Sequence, residues 1–460
     1  MANRAHPKNK PGFFSLLLTV LVIAAGVFGV YKVHTIRGDT SIPAFLQERS
    51  EKLSGKKDTK ETAAETTEAA ATEETLELTK EIGEADKTLS AALLSYCAET
   101  FDPATLQKVL DGMTAEDYDR EVWYEATGSS LYALQSIASG EVEKGTVKDT
   151  GVKKGGAIRI GFGGKVNLAL VDDPAAAVSE DLRKVLGTMD IVVLSNVCTL
   201  TPDGQTGAFK ADAQAAEAYE AIGADVVSIA NAHISDYGAA TLGDTVTALD
   251  EAGIAHIGAG TNVNEAAKPA YFLAGGRKIA FMSAAGLLNS RGVLTASAEG
   301  AGVFSLSKNL TAVTGAVKAI KDTCDYVFVY ISAGIDENAS WFDGDQDRWS
   351  KALIDAGADG VIGAHANRLQ GMEFYKGKLI VYGLGDFLFD ASTRETAVYQ
   401  LTIGEDGTFT HTLLPCSQQN SSVGLCTTDA AKASAAKRVT TYCGNVVRIA
   451  SDGTITNNRR

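Results

Sequence analysis

The chain is poor in proline, histidine and cysteine, and it has no excess of basic charge. Only 8 of its 460 residues are Pro, against 46 Gly, which argues against a Pro-rich stalk and for many tight strand-to-helix turns. Six Cys are too few for a disulfide scaffold in a chain of this size. Six His, two of them (His6 and His34) near the N-terminus, leave few donors for a multi-histidine metal site. Lys and Arg number 42 against 57 Asp and Glu, a net charge of −15. The electrostatic footprint of a nucleic-acid binder is therefore missing. What is present is ordinary: 45% hydrophobic and 22% charged residues match the globular average and exclude wholesale disorder. The length suits two or three segments of different character.

One long apolar run stands out, Phe13–Tyr31, nineteen uncharged residues. A helix of that length reaches about 28 Å, roughly the thickness of a bilayer core. The apolar part of a cleavable signal peptide is shorter. Arg4, Lys8 and Lys10 precede the run and Lys32 and Arg37 follow it, so charge orients it only weakly. With no second run, the expectation is a single-pass cell-membrane anchor with the C-terminal domain extracellular. Cleavage near Ala24–Gly29 and a buried core helix are the alternatives. Residues 1–37 are read as cytoplasmic N-terminus and anchor. Residues 38–85, rich in Thr, Glu, Ala and Lys, are read as a flexible linker, since Glu61–Leu78 has almost no large apolar side chains to offset folding entropy.

A small helical accessory region is expected over 86–140. Leu89, Ala92, Leu93 and Tyr96 fall on one helix face. Asp102-Pro103 is an N-cap followed by Pro at the first helical position, with Gly112 as an exit. Thr114-x-x-Asp117 resembles a capping box, and Ser129–Ser139 reads as a further short helix. From Ala157 onward short β-rich runs alternate with Ala-rich helical stretches. Strands are expected at Ile158–Phe162, Ile191–Ser195, Val226–Ala230, Lys278–Ser283, Tyr326–Ile331, Gly360–Gly363 and Leu379–Tyr382. Helices are expected at Asp212–Ile222, Ala239–Ala252 and Gln346–Ala356, and a hairpin at Val398–Ile403 and Thr408–Leu414. This is an α/β layering. Polar residues cluster just after the strands: Asn196, Asn231, His233, Asp236, Ser332, Asp336, His365 and Asn367. Ligands of α/β sheets bind outside the carboxyl ends of strands, so one shared cleft is expected.

Four blocks carry a family resemblance: Asp190-IVVLSN-Val197, Val226-VSIANAHISDYG-Ala239, Tyr326-VFVYISAGID-Glu337 and Ala352-LIDAGADGVIGAHANRLQGMEFYKGKLIVYGLGDFLF-Asp390. In order and content the chain resembles the CapA family of poly-γ-glutamate capsule biosynthesis proteins over about Ile158–Ile403. The resemblance implies a metallophosphatase-like layered α/β sandwich domain over 157–415. That domain is preceded by the transmembrane helix, the disordered linker and the small helical region, and followed by a Cys-containing tail, 416–460.

The family pattern also implies metal ligands at the strand ends, and here this chain departs. A two-metal site needs several fixed carboxylate, Asn and His ligands. Gly164 stands in place of Asp, Cys198 of Glu, Ala232 of Asn, and Ser332 and Asn367 of His. His233, Asp236 and His365 keep their type and are the catalytic candidates, each with a bland alternative. His233 is satisfied by Asp236, Asp236 caps the next helix, and His365 is a hydrogen-bonded loop residue. Asn196, Asn231, His233, Asp336, His365, Asn367 and Arg368 are expected to bind a ligand, with Arg348 and Arg394 as further cations. Asp386 is read as capping a turn, Cys198 as a core residue, and Gly161–Gly164 as too incomplete for a phosphate cradle. No metal and no cofactor are expected. The implied partners are an anionic, poly-γ-glutamate-like cell-surface polymer and other envelope biosynthesis proteins, with no nucleic acid. A metal-dependent hydrolase and a structural envelope domain are the alternatives. One disulfide is expected, Cys416 with Cys443 or with Cys426, while Cys198 and Cys324 stay reduced.

Overall fold

The computed structural model describes residues 71–460 apart from 116–117, 119–121, 130, 140–146, 203–204, 287–291, 335–338, 444–445 and 459–460. The expected anchor, most of the linker and Asp336 lie outside the described residues. Among the described residues, no helix is long and apolar enough to cross a membrane.

The helical region begins earlier than expected, which corrects the linker boundary. Glu73–Ala85 is a helix, followed by Ala91–Thr100, Pro103–Met113, Val122–Thr127 and Leu131–Ala138. Thr72 and Thr75 form a capping box at its start. Ile82 then packs with Leu93, Leu106, Val109 and Trp123 in a separate apolar cluster. A cap and one well-placed apolar side chain order a Glu-rich segment that composition alone reads as coil. Asp102 behaves as expected, its carboxylate accepting from Thr105 N–H at 2.8 Å with Pro103 at the first helical position. Thr114 is the C-terminal cap of that helix, and Asp117 lies outside the described residues.

Two large sheets dominate the rest, beside two two-stranded ones, Ala259–Gly260 with Gly302–Val303 and Thr199–Thr201 with Lys210–Asp212. Among the described residues, one large sheet has seven strands in the order Val147–Asp149, Ala270–Ala274, Arg277–Gly286, Tyr326–Ala333, Gly360–Ala364, Lys378–Val381 and Met372–Tyr375. The other has ten. Its main path runs Val447–Ile449, Thr454–Asn457, Phe409–Gln419, Arg394–Ile403, Ile158–Val166, Ile191–Asn196, Val226–Ser228 and Ala255–Ile257. Asp386–Leu388 pairs with Ile158–Val166, and Ser422–Leu425 with Phe409–Gln419. The central strands of both sheets are parallel, so each is buried on both faces and reads as a continuous apolar run.

Strand alternation sorts these side chains into layers. Ile160, Phe162, Ile191 and Val193 meet Phe281, Phe328 and Tyr330 in the core between the sheets. Val192 and Leu194 face the other way, against Leu182, Tyr219, Leu242 and Leu249 of outer helices. Val327, Val329 and Ile331 do the same on the first sheet, against Val313, Val317, Trp349 and Leu353. The architecture is a helix–sheet–sheet–helix sandwich.

Residues 416–460 are no tail. Phe409–Gln419 runs straight through Cys416, and the chain adds a strand, the helix Asp429–Thr441 and a β-hairpin. Ala435, Val439, Cys443, Val447 and Ile455 join the core between the sheets. The expected disulfide is absent, and all six cysteines are free and buried. Cys416 belongs to the outer core and Cys443 to the inner one, on opposite faces of a sheet. Cys443 Sγ is held instead by Met372 N–H at 2.7 Å and by the Val439 carbonyl at 2.9 Å.

Candidate functional site

A cavity of about 90 Å³ lies where the carboxyl ends of parallel strands from both sheets meet. Ile158–Val166 delivers Lys165 and Ile191–Asn196 leads into Val197; Val226–Ser228 leads to Asn231, Ala232 and His233. From the first sheet, Tyr326–Ala333 delivers Ser332, and Gly360–Ala364 leads into His365 and Asn367. Phe209 and Phe389 complete the wall. This is the crevice in which α/β sheets hold ligands.

Lys165 is its centre of charge, and it is only 6% exposed. Its Nζ donates to the His365 carbonyl at 2.9 Å and to Asn367 Oδ1 at 2.5 Å. It lies 3.1 Å from Asp386 Oδ1 and 4.8 Å from the centre of the Phe389 ring. The approach to Asp386 is ionic, since that oxygen receives no hydrogen bond of normal angle. Asp386 is fully buried and also pairs with Arg394, which in turn holds Asp390 at 3.2 Å. Burial pushes the Asp386 carboxyl up, and the Lys165 and Arg394 cations pull against it. The further contacts, from Lys165 to His365 and Asn367 and from Arg394 to Asp386, offset the cost of burying such a pair. Charges thus alternate inward, Asp390, Arg394, Asp386, Lys165, with the ammonium at the cavity end. Asp386 is an ion-pair residue and not a simple turn cap.

Glycine packing makes room for this arrangement. A side chain at Gly164 would begin 2.0 Å from the Gly385 carbonyl oxygen, and one at Gly163 would begin 2.4 Å from Leu194. That carbonyl accepts from Lys165 N–H at 3.0 Å. Gly161–Gly164 is therefore a close-approach device within a strand, not a phosphate cradle.

His233 Nδ1 lies 2.7 Å from Asp236 Oδ2, and its ring stacks on Phe209 with centroids 3.5 Å apart. Donation to the carboxylate fixes the tautomer and leaves Nε2 for another partner. The helix Ala239–Glu251 is entered through Gly238 without a side-chain cap. Asp236 orients His233 and caps nothing. His365 has φ 99°, a conformation that costs a non-glycine residue on the order of 1–3 kcal/mol. The strain aims its carbonyl at Lys165. Ser332 is 2% exposed, and among the described residues its hydroxyl has no hydrogen-bond partner.

The other expected residues divide. Asn231 lines the cavity, but its amide is engaged: Nδ2 donates to the Asn196 carbonyl and Oδ1 accepts from His233 N–H, both at 2.8 Å. Asn196 is not on the wall. It is fully buried, takes the Tyr219 hydroxyl at 2.9 Å and donates to the Cys198 carbonyl at 2.8 Å. Arg368 is exposed and also off the wall. Arg348 pairs with Asp345 at 2.6 Å, and Arg394 is spent on Asp386 and Asp390, so the three arginines do not converge on the cavity. Burial pushes the Cys198 thiol up to about 12, as a protonated core residue requires. Lys165, Phe209 and Phe389 went unnoticed in the sequence. The available signal was a lysine near the end of Ile158–Val166, a strand otherwise built of apolar residues and glycine apart from the exposed Arg159 at its start. Among the described residues, no group of three or more His, Cys, Asp or Glu side chains is placed to hold a metal ion.

Comparison with known proteins covers this same region. The family described as bacterial capsule synthesis protein PGA_cap matches residues 155–391. The capsule biosynthesis protein CapA of Bacillus anthracis is 30% identical over 213 residues, 45% of this chain and 51% of that protein. The PGA biosynthesis protein CapA of Bacillus subtilis is 29% identical over 199 residues, 40% of this chain and 48% of its own. A probable polyglutamine synthesis accessory protein of Mycobacterium tuberculosis is 29% identical over 214 residues, 44% of this chain and 56% of its own. The chain spans about half the length of the curated relatives it matches. Among solved structures, the NAD nucleotidase of Haemophilus influenzae aligns with a TM-score of 0.37 at 11% identity, over 63% of this chain and 57% of that one. The match over 155–391 takes in more than half of the chain and every wall of the cavity, so the chain belongs to the bacterial capsule synthesis protein family PGA_cap.

Proposed function

We propose that the chain is a membrane-anchored, extracellular protein of capsule or poly-γ-glutamate biosynthesis or attachment. In this reading it acts on the anionic polymer by binding, without metal chemistry. The observation that carries the reading is the family match over 155–391, which includes the whole strand-end cavity. Relatives named for capsule and PGA biosynthesis support it.

The resembled metallophosphatase-like pattern implies a two-metal centre, and the residues present do not fit one. The Lys165 ammonium is set among three oxygen atoms, from His365, Asn367 and Asp386. A second cation there would meet like charge at close range. Gly164 has no space for a carboxylate, and Ala232 offers no donor. The anchor and the orientation rest on Phe13–Tyr31. The hydrolase alternative has no comparable support.

Deletion of the coding sequence in its host tests the biosynthetic reading, with surface polymer measured as released glutamate. Loss of polymer, restored by the full chain, is expected. Unchanged polymer would refute it. Protease added to intact cells should remove the C-terminal domain and leave a small embedded fragment; a protected domain would refute the orientation. Elemental analysis of the purified full chain should find less than one divalent metal per molecule.

A further inference from the structure

We infer that Lys165 is a built-in cation that receives a carboxylate in the strand-end cavity, with the Ser332 hydroxyl as second contact. The inference rests on the polymer-binding reading and adds to it the group bound and the residues that bind it.

Two independent observations point to a ligand. The first is a lysine only 6% exposed whose ammonium lies on the cavity wall, held from behind by Asp386. Lysine is almost never buried so fully unless it is paired. Here the pairing carboxylate is itself shared with Arg394, so the positive end of the chain of charges faces the cavity. The second is Ser332, 2% exposed on the same wall, whose hydroxyl has no partner among the described residues. Its oxygen is not among the fully buried side-chain atoms left without a partner, so it opens onto the cavity, where a bound oxyanion would accept from it.

The cavity also limits the choice of anion. Its volume of about 90 Å³ is below the roughly 300 Å³ at which drug-sized pockets begin, so it takes a small group and not a whole sugar or nucleotide. One ammonium and one hydroxyl match a singly charged carboxylate. A phosphate dianion would enter with a second charge and no second cation on the wall. The Phe209 and Phe389 rings beside these donors suit the methylene arm of a carboxylate side chain.

Calorimetric titration of the purified full-length chain tests this, with a γ-linked glutamate tetramer, the same tetramer fully amidated, and inorganic phosphate. The tetramer should bind equally well with and without excess chelator, the amidated form should not bind, and phosphate should bind at least tenfold more weakly. Ser332→Ala should weaken tetramer binding several-fold, and Ser332→Asp and Lys165→Met should weaken it at least tenfold. Ser332→Ala removes only an unpartnered hydroxyl, so it stays decisive if Lys165→Met fails to fold. Equal affinity in wild type and both Ser332 variants would overturn the inference. So would binding that needs added Mn²⁺, or phosphate binding tighter than the tetramer. If no form binds the tetramer while deletion still strips surface polymer, this inference fails and the biosynthetic reading stands. If the tetramer binds through Lys165 but deletion leaves polymer intact, the biosynthetic reading fails instead.

Discussion

Single residues decide what chemistry the cavity can host. Gly164 is the clearest case, because the backbone of Gly385 occupies the space its side chain would need. Gly164→Asp, which would place a carboxylate at this strand end, should destabilise the fold by roughly 3 kcal/mol or more through overpacking. It should recruit no metal. Urea unfolding with metal analysis checks both, and a stable variant with bound Mn²⁺ would contradict the packing account. His411 is a second case, and its role is structural. It is 8% exposed, and its Nδ1 shares a hydrogen bond of 2.7 Å with the Tyr399 hydroxyl. Burial pulls its pKa down to about 4. The folded state keeps this imidazole neutral while the unfolded chain takes up a proton below about 6.5. Its contribution is therefore complete above pH 6.5 and is lost as pH falls toward 4, up to roughly 3 kcal/mol. His411→Gln should flatten that limb of the stability–pH curve; an unchanged slope would mean that other groups set it.

At the scale of elements, the C-terminal additions are part of the core. Ending the chain at Gln419 removes Ala435, Val439, Val447 and Ile455 from the layer between the sheets. Each large core truncation alone typically costs 2–5 kcal/mol. The shortened chain should lose its cooperative thermal transition, as followed by circular dichroism; a sharp transition near that of the full chain would show the additions to be dispensable. This element was illegible in the sequence for a physical reason. Pro415, Gln418 and Gln419 look like a strand's end, and Asp429–Thr441 is an Ala-, Lys- and Thr-rich helix that buries only Ala435 and Val439. The central strands were legible because burial on both faces turns them into apolar runs, as in Ile191–Asn196. Asp102-Pro103 was legible because a cap is local. The site was half legible. Strand-end polarity picked Asn231, His233, Ser332, His365 and Asn367, which the fold brings onto one cavity wall. It misplaced Asn196, whose partner Tyr219 lies 23 residues away. It missed Lys165, whose acceptors come from 200 positions downstream. Local pattern shows that a residue is polar, while only the fold supplies its partners.

For the whole molecule, net charge and local charge point in opposite directions. The chain carries −15 overall, yet the cavity presents an ammonium. An anionic oligomer is repelled by exposed carboxylates and attracted by a buried cation, and salt screens the first far more than the second. Affinity for a γ-glutamate oligomer should therefore rise between about 0.01 and 0.1 M salt, as the Debye length falls from about 30 to 10 Å. A basic surface patch would show the reverse, and a log-linear fall with salt would refute the buried-cation account. The contact between Gly164 and the Gly385 carbonyl has a further consequence, for descent. The neighbouring backbone occupies the space that any side chain at 164 would need and is hydrogen-bonded to the next residue along. A route to a carboxylate there would run through a single-substitution intermediate less stable than either end, so selection acting one substitution at a time would keep such a chain on the lysine side of the divide.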